Sequence, residues 1–245
     1  MIIANWKCNG SKKMIHHWLN QYKNSIIPSD KYIGVAPPYL YTENFLNSSI
    51  EHNLGFKLGV QDINSSSGAI TGAISLDMVK DMNCQFIILG HSERRIFFKE
   101  SNLKIEKKLD IIDNNIDTIL CVGESADENK SGETQTTLRE QLSVIDGRDI
   151  ASSLTIAYEP VWAIGTGNTP TSQEINDIHI FIKDVVQSIT NNNIVPKVIY
   201  GGSVTESNSE VFFNEKFIDG ALIGGASLDG EGFANIVNNF NGYEK

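Results

Sequence analysis

The chain has 245 residues, 40% of them hydrophobic, with a formal net charge of −10 at pH 7. That length fits one large α/β domain or two small ones, with enough apolar residues for a substantial core. The negative charge argues against nucleic acid or an anionic membrane surface as a partner, and any anionic substrate must be drawn in by local positive groups. Three cysteines, Cys8, Cys84 and Cys121, show no C-x-x-C spacing, which suits a reduced, cytoplasmic protein. The opening Met1–Lys7 is too short and polar for a signal peptide, and no apolar run approaches membrane-spanning length.

Short apolar runs alternate with segments of helical period. Ile2–Trp6 reads as the first strand, and Met14, Ile15, Trp18, Leu19 and Tyr22 then share one helical face. Tyr32–Ala36, stopped by Pro37-Pro38, reads as the second strand and Phe56–Gln61 as the third. The glycine- and serine-rich Asn64–Gly72 reads as a protruding loop. Gln85–Gly90 is a fourth strand, and a helix through Leu103, Leu109 and Ile112 leads to a fifth, Thr118–Val122. Leu138, Leu142 and Ile145 mark another helix before the sixth strand, Leu154–Tyr158. Ile175, Ile178, Ile182, Val185, Val186 and Ile189 form the clearest amphipathic helix. Strands at Lys197–Tyr200 and Ile218–Ile223 follow, and the last helix carries Phe233, Ile236, Val237 and Phe240.

Eight β-then-α units in a chain of this length predict a single (β/α)8 TIM barrel over residues 1–245, eight parallel strands surrounded by helices. Near-continuous apolar strands suit a parallel sheet buried on both faces. A doubly wound open sheet would usually carry G-x-G-x-x-G after its first strand, where this chain has Asn5-Trp6-Lys7-Cys8-Asn9-Gly10.

In such barrels chemistry gathers at the C-terminal strand ends. The first end supplies Asn5 and Lys7, and the fourth supplies His91, Ser92, Glu93, Arg94 and Arg95. The sixth supplies Glu159, with Pro160 stopping the ladder and an apolar flap beyond. The seventh and eighth supply Gly201-Gly202-Ser203 and Gly224-Gly225. Paired glycines there let backbone N–H groups approach a phosphate; one such pair alone is most often just a tight turn, and two at the last two strand ends favour phosphate. His91 alone reads equally as a satisfied structural histidine. Arg94 and Arg95 read as a charged, capped turn. His16, His17 and His179 on helices and His52 in a loop lack metal-ligand spacing and read as solvated, so no metal is expected. Cys8 and Cys121 read as packing residues.

Taken together, Asn5–Gly10, Gly90–Arg95, Cys121–Glu124, Ala157–Gly167, Tyr200–Val204 and Gly224–Leu228 closely resemble the triosephosphate isomerase family, in order along the whole chain. The resemblance implies interconversion of dihydroxyacetone phosphate and D-glyceraldehyde 3-phosphate through an enediolate, in glycolysis and gluconeogenesis, without a cofactor. It makes Glu159 the base, His91 the neutral electrophile, Lys7 the enediolate-stabilising cation, Asn5 a polar substrate contact and Glu93 the residue that holds Lys7. Gly165, Ser203, Gly224 and Gly225 would bind the phosphate. Val161, Trp162, Ala163, Ile164, Gly165 and Thr166 would belong to a lid latched by Tyr200 and Ser203. Cys8, Gln61 and Thr71 would lie at a homodimer interface. The chain departs from the family's usual pattern at Asp62, Ala73, Ile96, Asn168 and Pro170. A different barrel enzyme for phosphorylated sugars, or an inactive phosphate-binding barrel, would have lost or moved one of the reacting groups.

Overall fold

The computed structural model describes every residue except 28–29, 114, 151–152, 164–169 and 241–245. Eight parallel strands run as β1 (Ile2–Asn5), β2 (Ile33–Ala36), β3 (Lys57–Val60), β4 (Phe86–Leu89), β5 (Asp117–Val122), β6 (Leu154–Tyr158), β7 (Lys197–Tyr200) and β8 (Ala221–Ile223). They pair in chain order, and Ile2 pairs with both Ile33 and Ala221, which closes the barrel. The helices around it are α1 (Lys12–Ser25), α2 (Thr42–Glu51), α3 (Leu76–Asp81), α4 (Ser92–Phe97) and α5 (Asn102–Leu109) in the first half. The second half has α6 (Ala126–Lys130), α7 (Thr134–Leu142), α8 (Ser172–Ile189), α9 (Glu206–Phe213) and α10 (Gly230–Asn239).

Alternation along the strands splits the core in two. Ile3, Phe86, Ile88, Ile119, Cys121, Ala157, Ile199 and Leu222 fill the barrel interior. Their neighbours, among them Ala4, Val35, Ile87, Leu120, Ile156 and Val198, face the helices. Phe86 dominates the interior. A Cβ at Gly59 would sit 2.2 Å from its ring and one at Gly34 2.7 Å, so two neighbouring strands carry glycine to admit it.

Several strand ends differ from the sequence expectation. Trp6 lies beyond β1, buried edge-on against Trp18 and Phe45 rather than in the ladder. The strand expected from Ile218 begins only at Ala221, because Gly220 (φ +145°) turns the chain where a Cβ would strike the Met1 carbonyl. Leu103 is exposed, and α5 buries Ile105 and Lys108 instead. His179, read as solvated, is fully buried. Helix α8 needed a side chain that could fill space and donate Nδ1–H to the Phe217 carbonyl (3.1 Å). Burial keeps its imidazole neutral, with the pKa lowered to about 3. Among the described residues, no helix is long and apolar enough to cross a membrane.

Candidate active site

Asn5, Lys7, His91, Glu159, Gly201, Gly202, Ser203, Gly224 and Gly225 line one cavity of about 300 Å³ at the C-terminal rim of the barrel. Each arrives there because a strand ends beside it. Asn5 is the last residue of β1, and its Oδ1 accepts the Lys7 N–H at 3.0 Å. That bond accompanies a left-handed backbone at Lys7 (φ +51°), which non-glycine residues rarely adopt. The turn sends the lysine side chain back over the cavity, where a Cβ at Gly224 would lie 3.1 Å from Lys7 Cε. Glu93 Oε1 takes Lys7 Nζ at 2.8 Å. Gln61, from the segment after β3, donates to the Lys7 carbonyl at 2.8 Å and the Ala36 carbonyl at 2.9 Å.

His91 is the N-cap of α4, and its Nδ1 accepts the Glu93 N–H at 3.2 Å. An imidazolium has no lone pair at Nδ1, so this bond belongs to a neutral ring protonated at Nε2. Nε2 lies 2.9 Å from Glu159 Oε1. Burial pushes the His91 pKa down, but the adjacent Glu159 carboxylate outweighs it and the net shift is upward. For Glu159 burial pushes upward, and His91, the Ser92 N–H and Lys7 together bring the pKa below the ordinary glutamate value. Its second oxygen accepts the Ser92 N–H at 2.9 Å. Both carboxylate oxygens are therefore engaged, at a residue only 2% exposed.

The glycines beside Glu159 have a role that sequence reasoning missed. A Cβ at Gly201 would stand 2.7 Å from Glu159 Cγ, and one at Gly123 would stand 1.7 Å from the Glu159 carbonyl. Gly224 and Gly225 follow β8 and open the short 3-10 turn Gly225–Leu228. No Cβ contact is found within 4 Å at Gly225, so that position faces open space.

The start of the expected lid is anchored. Val161–Ala163 forms a 3-10 turn, Ala163 is buried, and Ser203 Oγ donates to the Ala163 carbonyl at 3.2 Å. Trp162 Nε1 donates to Glu124 Oε1 at 2.8 Å, and the Glu124 carbonyl accepts the Val161 N–H at 3.1 Å. Glu124 is fully buried and also accepts from Tyr158 OH and Asn129 Nδ2, each at 3.2 Å. A carboxylate two residues past an apolar strand was a readable signal for this anchor. The Tyr200 hydroxyl is buried beside the Ser203 backbone N–H. Ile164, Gly165, Thr166 and Asn168 lie outside the described residues.

Of the residues expected at an interface, Cys8 and Thr71 are exposed, and Gln61 supports Lys7 within its own chain. Cys8 thus does not pack in the single chain, unlike Cys121 inside the barrel. Arg94 and Arg95 are more than a capped turn. Arg95 donates to the Gly90 and Cys121 carbonyls, and Arg94 joins an ion cluster with Asp62, Glu100 and Lys108. Among the described residues no His, Cys, Asp and Glu group is arranged to hold a metal ion.

A closed (β/α)8 barrel brings a carboxylate, an imidazole and an ammonium together over glycine-lined turns after β7 and β8, the arrangement of an acid–base barrel site. The family model described as triosephosphate isomerase matches residues 1–240. The triosephosphate isomerase of Buchnera aphidicola subsp. Cinara cedri (strain Cc) is 40% identical, over 97% of this chain and 96% of that one. That of Escherichia coli (strain K12 / DH10B) is 38% identical, over 97% and 95%. The chain belongs to the triosephosphate isomerase family.

Proposed function

We propose that this chain interconverts dihydroxyacetone phosphate and D-glyceraldehyde 3-phosphate, the isomerase step shared by glycolysis and gluconeogenesis. The carrying observation is the Glu159–His91 contact of 2.9 Å inside a cavity that also holds Lys7. On this reading the substrate phosphate sits against the backbone of Ser203, Gly224 and Gly225, and the family resemblance adds the Gly165 N–H. This leaves C1 and C2 between Glu159 and His91. Glu159 takes a proton from one carbon, the electron pair moves into the carbonyl, and an enediolate forms. His91 donates Nε2–H to the oxygens where charge develops, and Lys7 stabilises that charge. Asn5 fixes the substrate and Glu93 fixes Lys7. Glu159 then returns the proton to the neighbouring carbon while the hydroxyl proton passes between O1 and O2 by way of His91 Nε2, so the sum is an isomerisation with no redox partner. This division between a carboxylate base and a neutral imidazole is the family's established one, not a result of this structure.

An enzyme-coupled assay on D-glyceraldehyde 3-phosphate tests the reading, with Glu159→Gln as the inactive control. Absence of turnover by the parent would overturn it. We also infer a cytoplasmic homodimer built on the Asn64–Gly72 loop, with Thr71 and Cys8 at the contact. Exposed apolar side chains support this, Leu40, Met78, Phe97 and Phe98 each being more than half exposed. A monomer mass by light scattering at micromolar concentration would count against the dimer.

A further inference from the structure

Lys7 is gripped from two sides by residues whose next neighbours are bound to each other. Gln61 holds the Lys7 carbonyl and Glu93 holds its Nζ, each at 2.8 Å. The residues that follow them, Asp62 and Arg94, form an ion pair at 2.8 Å. That pair is one side of a closed ring. Asp62 Oδ1 accepts Lys108 Nζ at 2.6 Å, Lys108 also reaches Glu100 Oε1, and Glu100 Oε2 accepts Arg94 Nε at 3.2 Å. Two carboxylates face two cations, so the ring is neutral. Asp62, Glu100 and Lys108 are buried, and the Arg94 guanidinium lies 4.6 Å from the centre of the Phe98 ring.

Stability alone does not account for such a ring. Withdrawing four charges from water carries a desolvation penalty, and well-packed apolar replacements of buried ion pairs are often neutral or stabilising. What the ring adds is a fixed distance between the segment after β3 and the start of α4. Those are the two segments that hold Lys7. The lysine needs that support because its backbone sits at φ +51°, a strained conformation for a side-chain-bearing residue that persists only when its surroundings impose it.

We propose that the Asp62–Arg94–Glu100–Lys108 ring is a positioning strap for Lys7, clamping Gln61 against its backbone and Glu93 against its ammonium. The proposal rests on Lys7 being a substrate-binding group, as argued above. Asp62 and Arg94 are positioning residues, since neither lines the active-site cavity.

The test is the double variant Asp62→Leu/Arg94→Leu, which leaves Glu100 and Lys108 as a neutral pair and so spares the core an unpaired charge. Misplacing a reacting group by about 1 Å can cost on the order of 100-fold. The expected result is a fall in kcat/KM of roughly 10- to 100-fold, shared between a higher KM and a lower kcat, with circular dichroism and mass unchanged. The Gln61 side-chain amide resonance, which reports its bonds to Lys7 and Ala36, should shift. Asp62→Asn keeps an oxygen for Arg94 and should recover most of the loss. A folded double variant with parental kcat/KM and an unmoved Gln61 resonance overturns the strap. Should the double variant not fold, Arg94→Gln is read by the same two outcomes. Lys7→Met is assayed beside them: loss of turnover sustains the assignment of Lys7, whereas parental turnover overturns that assignment without touching the ring.

Discussion

Glu159 Oε1 lies 2.9 Å from His91 Nε2, and this contact fixes the resting state of both groups. Its other oxygen takes the Ser92 N–H, so in the proposed mechanism Glu159 is parked and must exchange both partners to reach a substrate carbon. While parked it is a weak base, its pKa held down by His91, Ser92 and Lys7 against the upward push of burial. When Glu159 exchanges His91 and the Ser92 N–H for a substrate carbon, those two restraints go and burial is opposed only by Lys7, which strengthens the base. The same coupling sets the histidine. Its pKa in the free enzyme stands above the ordinary value despite burial, because the Glu159 carboxylate faces it. Replacing Glu159 by Gln removes that charge, and the His91 pKa should move downward, as read by imidazole NMR titration. An unchanged titration would mean that the contact does not exist in solution.

Gly201 gives Glu159 the room to make that exchange. An alanine there would place Cβ 2.7 Å from Glu159 Cγ and 3.2 Å from the Tyr158 carbonyl, so the carboxylate must shift. Gly201→Ala should reduce kcat/KM by roughly 10- to 100-fold. Its overpacking cost should be about 1–3 kcal/mol in denaturant melts. Gly55→Ala is the control, since nothing lies within 4 Å of its Cβ position. Equal kcat/KM in the two variants would remove the steric argument.

Glu124 ties the Val161–Ala163 turn, where the proposed lid begins, to the barrel by accepting from Trp162, Tyr158 and Asn129. Glu124→Ala strands the buried Tyr158 hydroxyl and removes the acceptor of the indole N–H. One unsatisfied buried donor costs about 1–3 kcal/mol, so a stability loss of that order or somewhat more is expected. Glu124→Gln keeps an acceptor for the indole and should lose less. Trp162 is the most exposed of the three tryptophans, Trp6 and Trp18 being fully buried. Its emission should therefore redden in Glu124→Ala, together with a lower kcat. Parental fluorescence and kcat would refute the tether.

What the sequence revealed and what it hid divide along physical lines. Buried parallel strands are continuous apolar runs, so β6 and β7 were legible to the residue. Helix α2 was not seen at all, because Thr42–Glu51 is rich in Asn and Ser and its apolar stripe is thin. Helices α3 and α9, with six and eight residues, offer too few turns to show a period. At the site, Asn5, Lys7, His91 and Glu159 stood out because polar residues ended apolar strands. Asp62, Glu100 and Lys108 did not, for they meet only when β3 and α5 are brought together, and Lys108 looks like any helix-surface lysine. His179 failed for a related reason: on a helix of mixed composition, only tertiary packing decides which residue is buried.

Asp62 and His179 should bend the stability–pH curve in opposite directions. Burial and the neighbouring Glu100 raise Asp62 from 3.8 to about 6, and Lys108 and Arg94 only partly offset them. The Tyr39 hydroxyl, bonded to the Asp62 carbonyl, faces it as well. Between about pH 4 and 6 the folded state thus binds the extra proton, and stability from this group falls as pH rises through that window. Asp62→Asn removes this titration, so its stability relative to the parent should climb by about 1–3 kcal/mol between pH 4 and pH 8, on top of a pH-independent cost for leaving Arg94 and Lys108 one carboxylate short. His179 runs the other way. Its folded pKa of about 3 lies below the ordinary 6.5, so the unfolded chain binds the proton first and stability is lost as pH falls below 6.5. At pH 5 that loss is about 2 kcal/mol. His179→Asn, whose amide nitrogen can still donate toward the Phe217 carbonyl, should lose less stability than the parent between pH 7 and pH 5. Thermal melts of the three proteins across pH 4–8 decide both. A parallel offset at every pH in either variant would show that the corresponding group does not titrate between folded and unfolded states as argued.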